Sequence, residues 1–237
     1  MPRGRSASTS TSRKRFKASR SLTPARASLP RTGRIINQGN QWAMASPYSY
    51  LRTFDPFPSR MSCRLRYSQG VTLSTTGSIA TYLFRANSIH DPDYSGIGHQ
   101  PYGHDTYAGI YNKYIVKAAY ITVSLVSNSS QGMLGISVTD DNVVNGDWNT
   151  VRETKGTKYI PLTYTGAPSV TNQWKAGYLD PSQRDLMQAS FGANPNQVQF
   201  FHIWYDSKNA STESAIDAVV NITYDVDVCE LKDLGQS

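Results

Sequence analysis

Six side chains able to bind a metal or move a proton fall within sixteen positions: His90, Asp91, Asp93, His99, His104 and Asp105. Imidazole with carboxylate is the donor set of metal-dependent hydrolases and of structural divalent-ion sites. The spacing fits no zinc, iron or EF-hand pattern, and Pro92 and Pro101 interrupt any helix that would align the donors. The residues therefore read first as turn formers with satisfied hydrogen bonds; the alternative is a structural divalent ion on Asp91, Asp93 and Asp105. Neither G-x-S-x-G nor a phosphate-binding glycine loop with lysine occurs, so nothing here demands an enzyme or a cofactor. His202, in "FFHIWY", reads as a core or interface imidazole. Trp42, Trp148, Trp174 and Trp204 read as core or interface anchors, with base stacking as the alternative.

The other concentration is of charge. Residues 1–34 hold Arg3, Arg5, Arg13, Lys14, Arg15, Lys17, Arg20, Arg26, Arg31 and Arg34, and the first acidic residue of the chain is Asp55. The arm is thus +10, which leaves 14 basic against 17 acidic residues, or −3, for everything from Ile35 onward. Apart from Phe16 it offers almost nothing to bury, so it cannot offset the entropy of ordering itself and is expected to be disordered when free. A flexible polycation binds polyanions, and the partner expected is nucleic acid, held through its phosphates with no sequence reading. A solubility tail or a plain nuclear import signal, for which "RKRFK" (residues 13–17) suffices, leaves ten charges over thirty-four residues unexplained. No apolar run approaches a membrane span or follows the basic start as a signal peptide requires, so no membrane insertion is expected.

The elements around these residues are strands. Residues 35–60 are rich in turn formers and aromatics and read as an ordered lead-in; residues 61–237 read as one all-β body. In "SCRLRYSQGVTLS", Cys63, Leu65 and Tyr67 alternate with arginines, and Val71 and Leu73 resume after a Gly70 that suggests a bulge. The clearest strand runs from Ile216, where every even position to Val228 is apolar and the odd positions carry Asp217, Asn221, Thr223, Asp225 and Asp227. Further strand signals lie at 78–84, 114–126, 132–140, 158–164, 173–179 and 197–206, eight in all. Two helices are expected: one over 105–114 with Asp105 as N-cap, the other opening at Asp180 and Pro181 and stopped by Gly192. Eight antiparallel strands with short helices in long connections suit a jelly roll, whose first and last strands are neighbours. Cys63 and Cys229 then sit on adjacent strands, whether or not they are paired.

Between Tyr82 and Tyr120 the chain reads "YLFRANSIHDPDYSGIGHQPYGHDTYAGIYNKYIVKAAY". This resembles circovirus-like capsid proteins of circular Rep-encoding single-stranded DNA viruses, in which "FRANSI-DPD", "G-GHQP-G-D" and "Y--Y-V" elements follow the second strand. The resemblance extends more loosely over the whole chain. It implies a coat protein assembled with copies of itself into an icosahedral shell of a multiple of sixty subunits, packaging viral single-stranded DNA through the arm. It further implies host nuclear import machinery and a cell-surface receptor as partners, with residence in the virion and, during assembly, in the host nucleus. From the residues alone, two other readings stay open: a cellular β-sandwich nucleic-acid-binding module with a basic tail, or a sugar-binding or metal-dependent jelly roll. The arm binds phosphate of either kind, so the coat of a small single-stranded RNA virus is open as well.

Overall fold

A computed structural model describes residues 57–75, 79–128, 131–143, 147–162, 168–177, 181–207 and 214–233. The arm and nearly all of the lead-in, with the ten basic residues and Trp42, lie outside the described residues. In chain order the elements are β1 (Arg60–Thr75), β2 (Ala80–Arg85), α1 (His104–Ile110), β3 (Tyr111–Asn128), β4 (Gly132–Thr139), α2 (Trp148–Glu153), β5 (Lys158–Leu162), β6 (Ser169–Lys175), α3 (Pro181–Met187), β7 (Gln188–Ser190), β8 (Phe200–Ser207) and β9 (Ser214–Leu231).

The alternation of β9 sets the architecture. Its even positions are buried from Ile216 to Val228, while β1 runs antiparallel beside it in unbroken register from Arg60 opposite Cys229 to Thr75 opposite Ser214. The first sheet is ordered β1-β9-β3-β6, with β7 added on β3; the second is β2-β8-β4-β5. All pairs are antiparallel, and four of them are nested: β1 with β9, β2 with β8, β3 with β6, β4 with β5. A long hairpin rolled into two layers has this pairing, and it is the jelly roll. The inward phases of both sheets meet in one core that includes Tyr67, Phe84, Tyr111, Tyr114, Phe201 and Tyr224. β8 is buried at seven of its eight positions, including both faces, which explains why "FFHIWYDS" carries no alternation.

Four local expectations are corrected. Gly70 is no bulge: it lies opposite Val219 in continuous register, and the buried positions 65, 67, 71 and 73 share one phase. Gln69 holds an inward position of that phase, and its polarity imitated a break. The irregularities sit in β3, where its register against β9 shifts between Val116 and Ala118 and between Leu125 and Ser127. Asp105 does not cap α1; the cap position is Gly103 at φ 89°, and Tyr111 and Tyr114 belong to β3. α3 ends at Met187 because Gln188–Ser190 is drawn into β7 beside β3. Helix α2, capped by Asp147 accepting from the Thr150 amide, was not expected at all.

Cys63 stands opposite Val226 and Cys229 opposite Arg60, three ladder positions or roughly 10 Å apart, and both are free thiols. Burial, seconded by the charge of Asp227, pushes the Cys63 thiol up to about 11.

Candidate functional site

The connection between β2 and β3 is built around one carboxylate. Asp93 is fully buried; its Oδ1 accepts from the amide (2.9 Å) and hydroxyl (2.8 Å) of Ser95, and its Oδ2 from Tyr82 Oη (2.7 Å) and Gln69 Nε2 (2.8 Å). Tyr67 Oη donates in turn to Gln69 Oε1. Burial works to raise the Asp93 pKa, but the hydrogen bonds from Tyr82, Gln69 and Ser95 outweigh it and hold the group below the usual carboxylate range. With four donors on its two oxygens, Asp93 serves as the keystone of the loop and has no lone pair left for an ion.

The same loop seals two strand edges. Arg85 N donates to Pro92 O (2.7 Å) and Tyr94 N to Leu83 O (3.2 Å), so residues 92–94 return along the free side of β2. Tyr102 N donates to Arg66 O (3.0 Å) and closes part of the free side of β1. An unpaired edge is a template for uncontrolled pairing, and here the chain covers its own. The Arg85 guanidinium fixes the turn from inside, donating to the carbonyls of Asp91 (2.7 Å) and Asp93 (2.8 Å) and pairing with the Asp91 carboxylate (3.3 Å). Gly98 is required by close approach: a Cβ there would lie 2.7 Å from both Asp93 Cβ and Tyr67 Oη.

The remaining candidates do not converge. His99 stacks on Tyr67 (centroids 4.6 Å), and Asp105, 93 % exposed in its side chain, meets His104 Nδ1 at 2.9 Å. His90 and His104 have ring centroids 6.4 Å apart. Asp91 and Asp93 share the loop while Asp105 stands apart in α1, and among the described residues no three His, Cys, Asp or Glu side chains gather around a metal-sized site. His202 is a core imidazole: Nε2 lies 2.8 Å from Thr139 Oγ1 and 2.7 Å from Asp141 O, and burial pushes its pKa down. Trp204 and Trp174 are buried anchors; the side chain of Trp148 lies outside the described residues.

Outside the loop, the cations of the body divide into two groups that the sequence reading did not separate. On β1 and β3, Arg60 and Lys117 are paired across strands with Asp227 (2.8 and 2.7 Å), Arg64 with Asp225 (2.6 Å) and Lys113 with Glu230 (2.7 Å), while Arg66 enters no ion pair among the described residues. Burial acts to raise the Asp227 pKa, and hydrogen bonds from Lys117 and Ser62 with the nearby cations lower it overall. Along β5 and β6, by contrast, Lys155, Lys158 and Lys175 enter no ion pair among the described residues. The loop also presents apolar groups outward, with Ile97 83 % and Tyr102 92 % exposed. No described helix is long and apolar enough to cross a membrane.

No protein-family model and no curated protein matches the chain. Among solved structures, it is similar to the BFDV capsid protein in its decameric form, at 12% identity and TM-score 0.45 over 72% of this chain and 99% of that one. It is also similar to Cocksfoot mottle virus (12% identity, TM-score 0.49, 73% of this chain and 96% of that one) and to mud crab tombus-like virus (9% identity, TM-score 0.49, 80% and 100%). These are likenesses of fold, and the jelly roll itself stands on the nested strand pairing.

Proposed function

We propose that the chain is the coat protein of a small virus, assembling with copies of itself into an icosahedral shell and packaging a circular single-stranded DNA genome through residues 1–34. The observation that carries this reading is the division of charge: +10 on an arm without a single acidic residue, and −3 on the rest of the chain, whose described part is a jelly roll with its β2 edge and part of its β1 edge covered. A shell of sixty chains would place on the order of 600 arm charges around the genome, enough to neutralise a substantial part of it. Covered edges direct copies to meet through side chains instead of through sheet extension, which suits a closed shell. DNA over RNA is favoured by the resemblance of Tyr82–Tyr120, since phosphate neutralisation is blind to the sugar. "RKRFK" serves, in this reading, as a nuclear import signal before assembly.

Electron microscopy and sedimentation of the purified full chain test the proposal. Megadalton particles with nuclease-protected single-stranded DNA are expected, and deletion of residues 1–34 should leave assembly intact while abolishing packaging. A chain that stays a monomer or small oligomer at every salt concentration would instead be a cellular binding module, and protected RNA would make it an RNA-virus coat.

A further inference from the structure

The turn between α2 and β5 is held with unusual care for a surface loop. Asn172, buried in β6, donates from Nδ2 both to Ile136 O and to Gly156 O, each at 2.8 Å, tying the turn to the two sheets at once. Thr157 Oγ1 donates to Val151 O (3.1 Å) and meets Ser137 Oγ (2.8 Å), which also accepts from the buried Trp204 indole N–H (3.1 Å). Gly156 adopts φ 80°, a conformation that disfavours side chains, so the turn is specified in backbone as well as in bonding. What this scaffold presents is Lys155 on one side of Gly156 and Lys158 on the other.

A groove of about 370 Å³ opens between the two lysines and Gln173 of β6, and a neighbouring one of about 480 Å³ continues past Lys158 and Tyr159 to Ser169 and Thr171. Together they follow the seam where the edge strands of the two sheets meet. Lys175, two residues beyond Gln173 on the same face of β6, lies against Tyr120 with Nζ 5.9 Å from the ring centre. The segments 150–162 and 168–177 carry Arg152 and these three lysines against Glu153 alone. The charge of Arg152 acts on the nearby Asp206 carboxylate, and the three lysines enter no ion pair among the described residues. Tyr159 is 45 % exposed at the mouth, its ring held near buried Trp204 (centroids 6.1 Å) and the Arg152 guanidinium (5.9 Å).

We propose that this β5–β6 seam is a second nucleic-acid contact, borne by the body: the backbone phosphates of a single strand lie on Lys155, Lys158 and Lys175, and a base stacks on Tyr159. The held turn sets where Lys155 and Lys158 leave the backbone, and no carboxylate among the described residues competes for the three ammonium groups. A basic groove with an aromatic platform is the general form of a single-strand site, and neither element reads sequence. The choice of nucleic acid as occupant rests on the proposed packaging function.

The test uses the full chain and a thiothymidine-substituted oligothymidylate, photocrosslinked and mapped by mass spectrometry, beside the Lys155→Gln, Lys158→Gln, Lys175→Gln triple variant. Crosslinks at 152–160 as well as in the arm are expected. In the triple variant those at 152–160 should fall at least tenfold, and the slope of log K against log salt should flatten by about 2, near 0.7 for each phosphate contact removed. The variant must assemble and melt as the parent does; if it fails to, Tyr159→Leu alone should still remove the 152–160 crosslink. Crosslinks confined to the arm overturn the seam and leave the packaging proposal standing, whereas crosslinks nowhere overturn both. Retention on sulfated polysaccharide that the triple variant loses, with no crosslink at 152–160, assigns the seam to a different polyanion and also overturns the proposal.

Discussion

The two flanks of the sandwich use polar groups for opposite ends. At the β1–β2 flank, the loop after β2 folds back along the β2 edge and part of the β1 edge, and the hydrogen bonds of Gln69, Tyr82 and Ser95 converge on Asp93 at its centre. At the β5–β6 flank Asn172 ties the turn to both sheets, yet the lysines of that turn enter no ion pair among the described residues. The first flank invests its polar groups in shape and the second in presenting charge. The distinction has a measurable consequence: substitutions at the first flank should register in stability, and those at the lysines of the second in binding.

The hardest blow to the first flank is Asp93→Ala. It strands the donors of Tyr82, Gln69 and Ser95 in a site closed to water, each orphan costing about 1 kcal/mol or more, so a loss of about 3–4 kcal/mol is expected by chemical denaturation. Asp93→Asn, which keeps the shape and two acceptor positions, should lose less. An unchanged stability in Asp93→Ala would mean that the loop does not depend on the hub. Second in size is Asn172→Ala, which frees the carbonyls of Ile136 and Gly156 and should cost about 2 kcal/mol. Because Asn172 also holds the lysine turn, the same variant should weaken oligonucleotide binding without touching a charge, and it thereby links the two flanks.

Asp227 gives a smaller effect with a direction in pH. Its folded pKa lies below the unfolded value, so its contribution is present above the unfolded carboxylate range near 4 and is lost as pH falls through the folded value. Arg60 and Lys117 are 43 % and 49 % exposed in their side chains, and solvent screening keeps the contribution to about 1 kcal/mol. Asp227→Asn should therefore lower stability at pH 7 while flattening the acid limb of the stability curve between about pH 4 and pH 2. An unchanged acid limb would assign that limb to other carboxylates, Asp93 first among them.

How far these features were legible in the sequence depended on whether a signal was periodic. Alternation over β9 and β1 identified the paired strands, and the rolled topology followed from strand count and the spacing of turns. Gly70 was misread as a bulge because Gln69, a polar residue at an inward position, is indistinguishable from a phase break until its partners, Asp93 and Tyr82, are known to lie beside it. Asp105 looked like a cap, but Gly103 in the left-handed region caps the helix two residues earlier. Of the six candidate ligands, Asp93 holds the loop by hydrogen bonds, its four donors coming from three segments of the chain, whereas His90 Nδ1 and His104 Nε2 are buried without a hydrogen-bond partner among the described residues. What composition hid altogether was the partition of the body's cations. Arg60, Arg64, Lys155 and Lys158 are alike as letters; only the strand register places Asp225 opposite Arg64 and Asp227 two positions along from Arg60's partner, while Lys155 and Lys158 enter no ion pair among the described residues.

The smallest expected change in stability is the most informative about that partition. Lys158 stands at the exposed start of β5 with its charge unpaired, so Lys158→Gln removes no ion pair and strands no buried group. Surface substitutions of this kind stay within about 0.5 kcal/mol, and the denaturation midpoint of Lys158→Gln should match the parent. Arg64→Gln on β1 serves as the control of equal charge change, because its guanidinium already belongs to Asp225. If unpaired charge is what the β5–β6 flank contributes, Lys158→Gln lowers the salt slope of oligonucleotide binding by about 0.7. Arg64→Gln changes it far less, since a cation held by its own carboxylate has few counterions left to release. Equal slopes for the two variants would show that the nucleic acid senses only the net charge of the body, and the contrast between the flanks would then be one of stability alone.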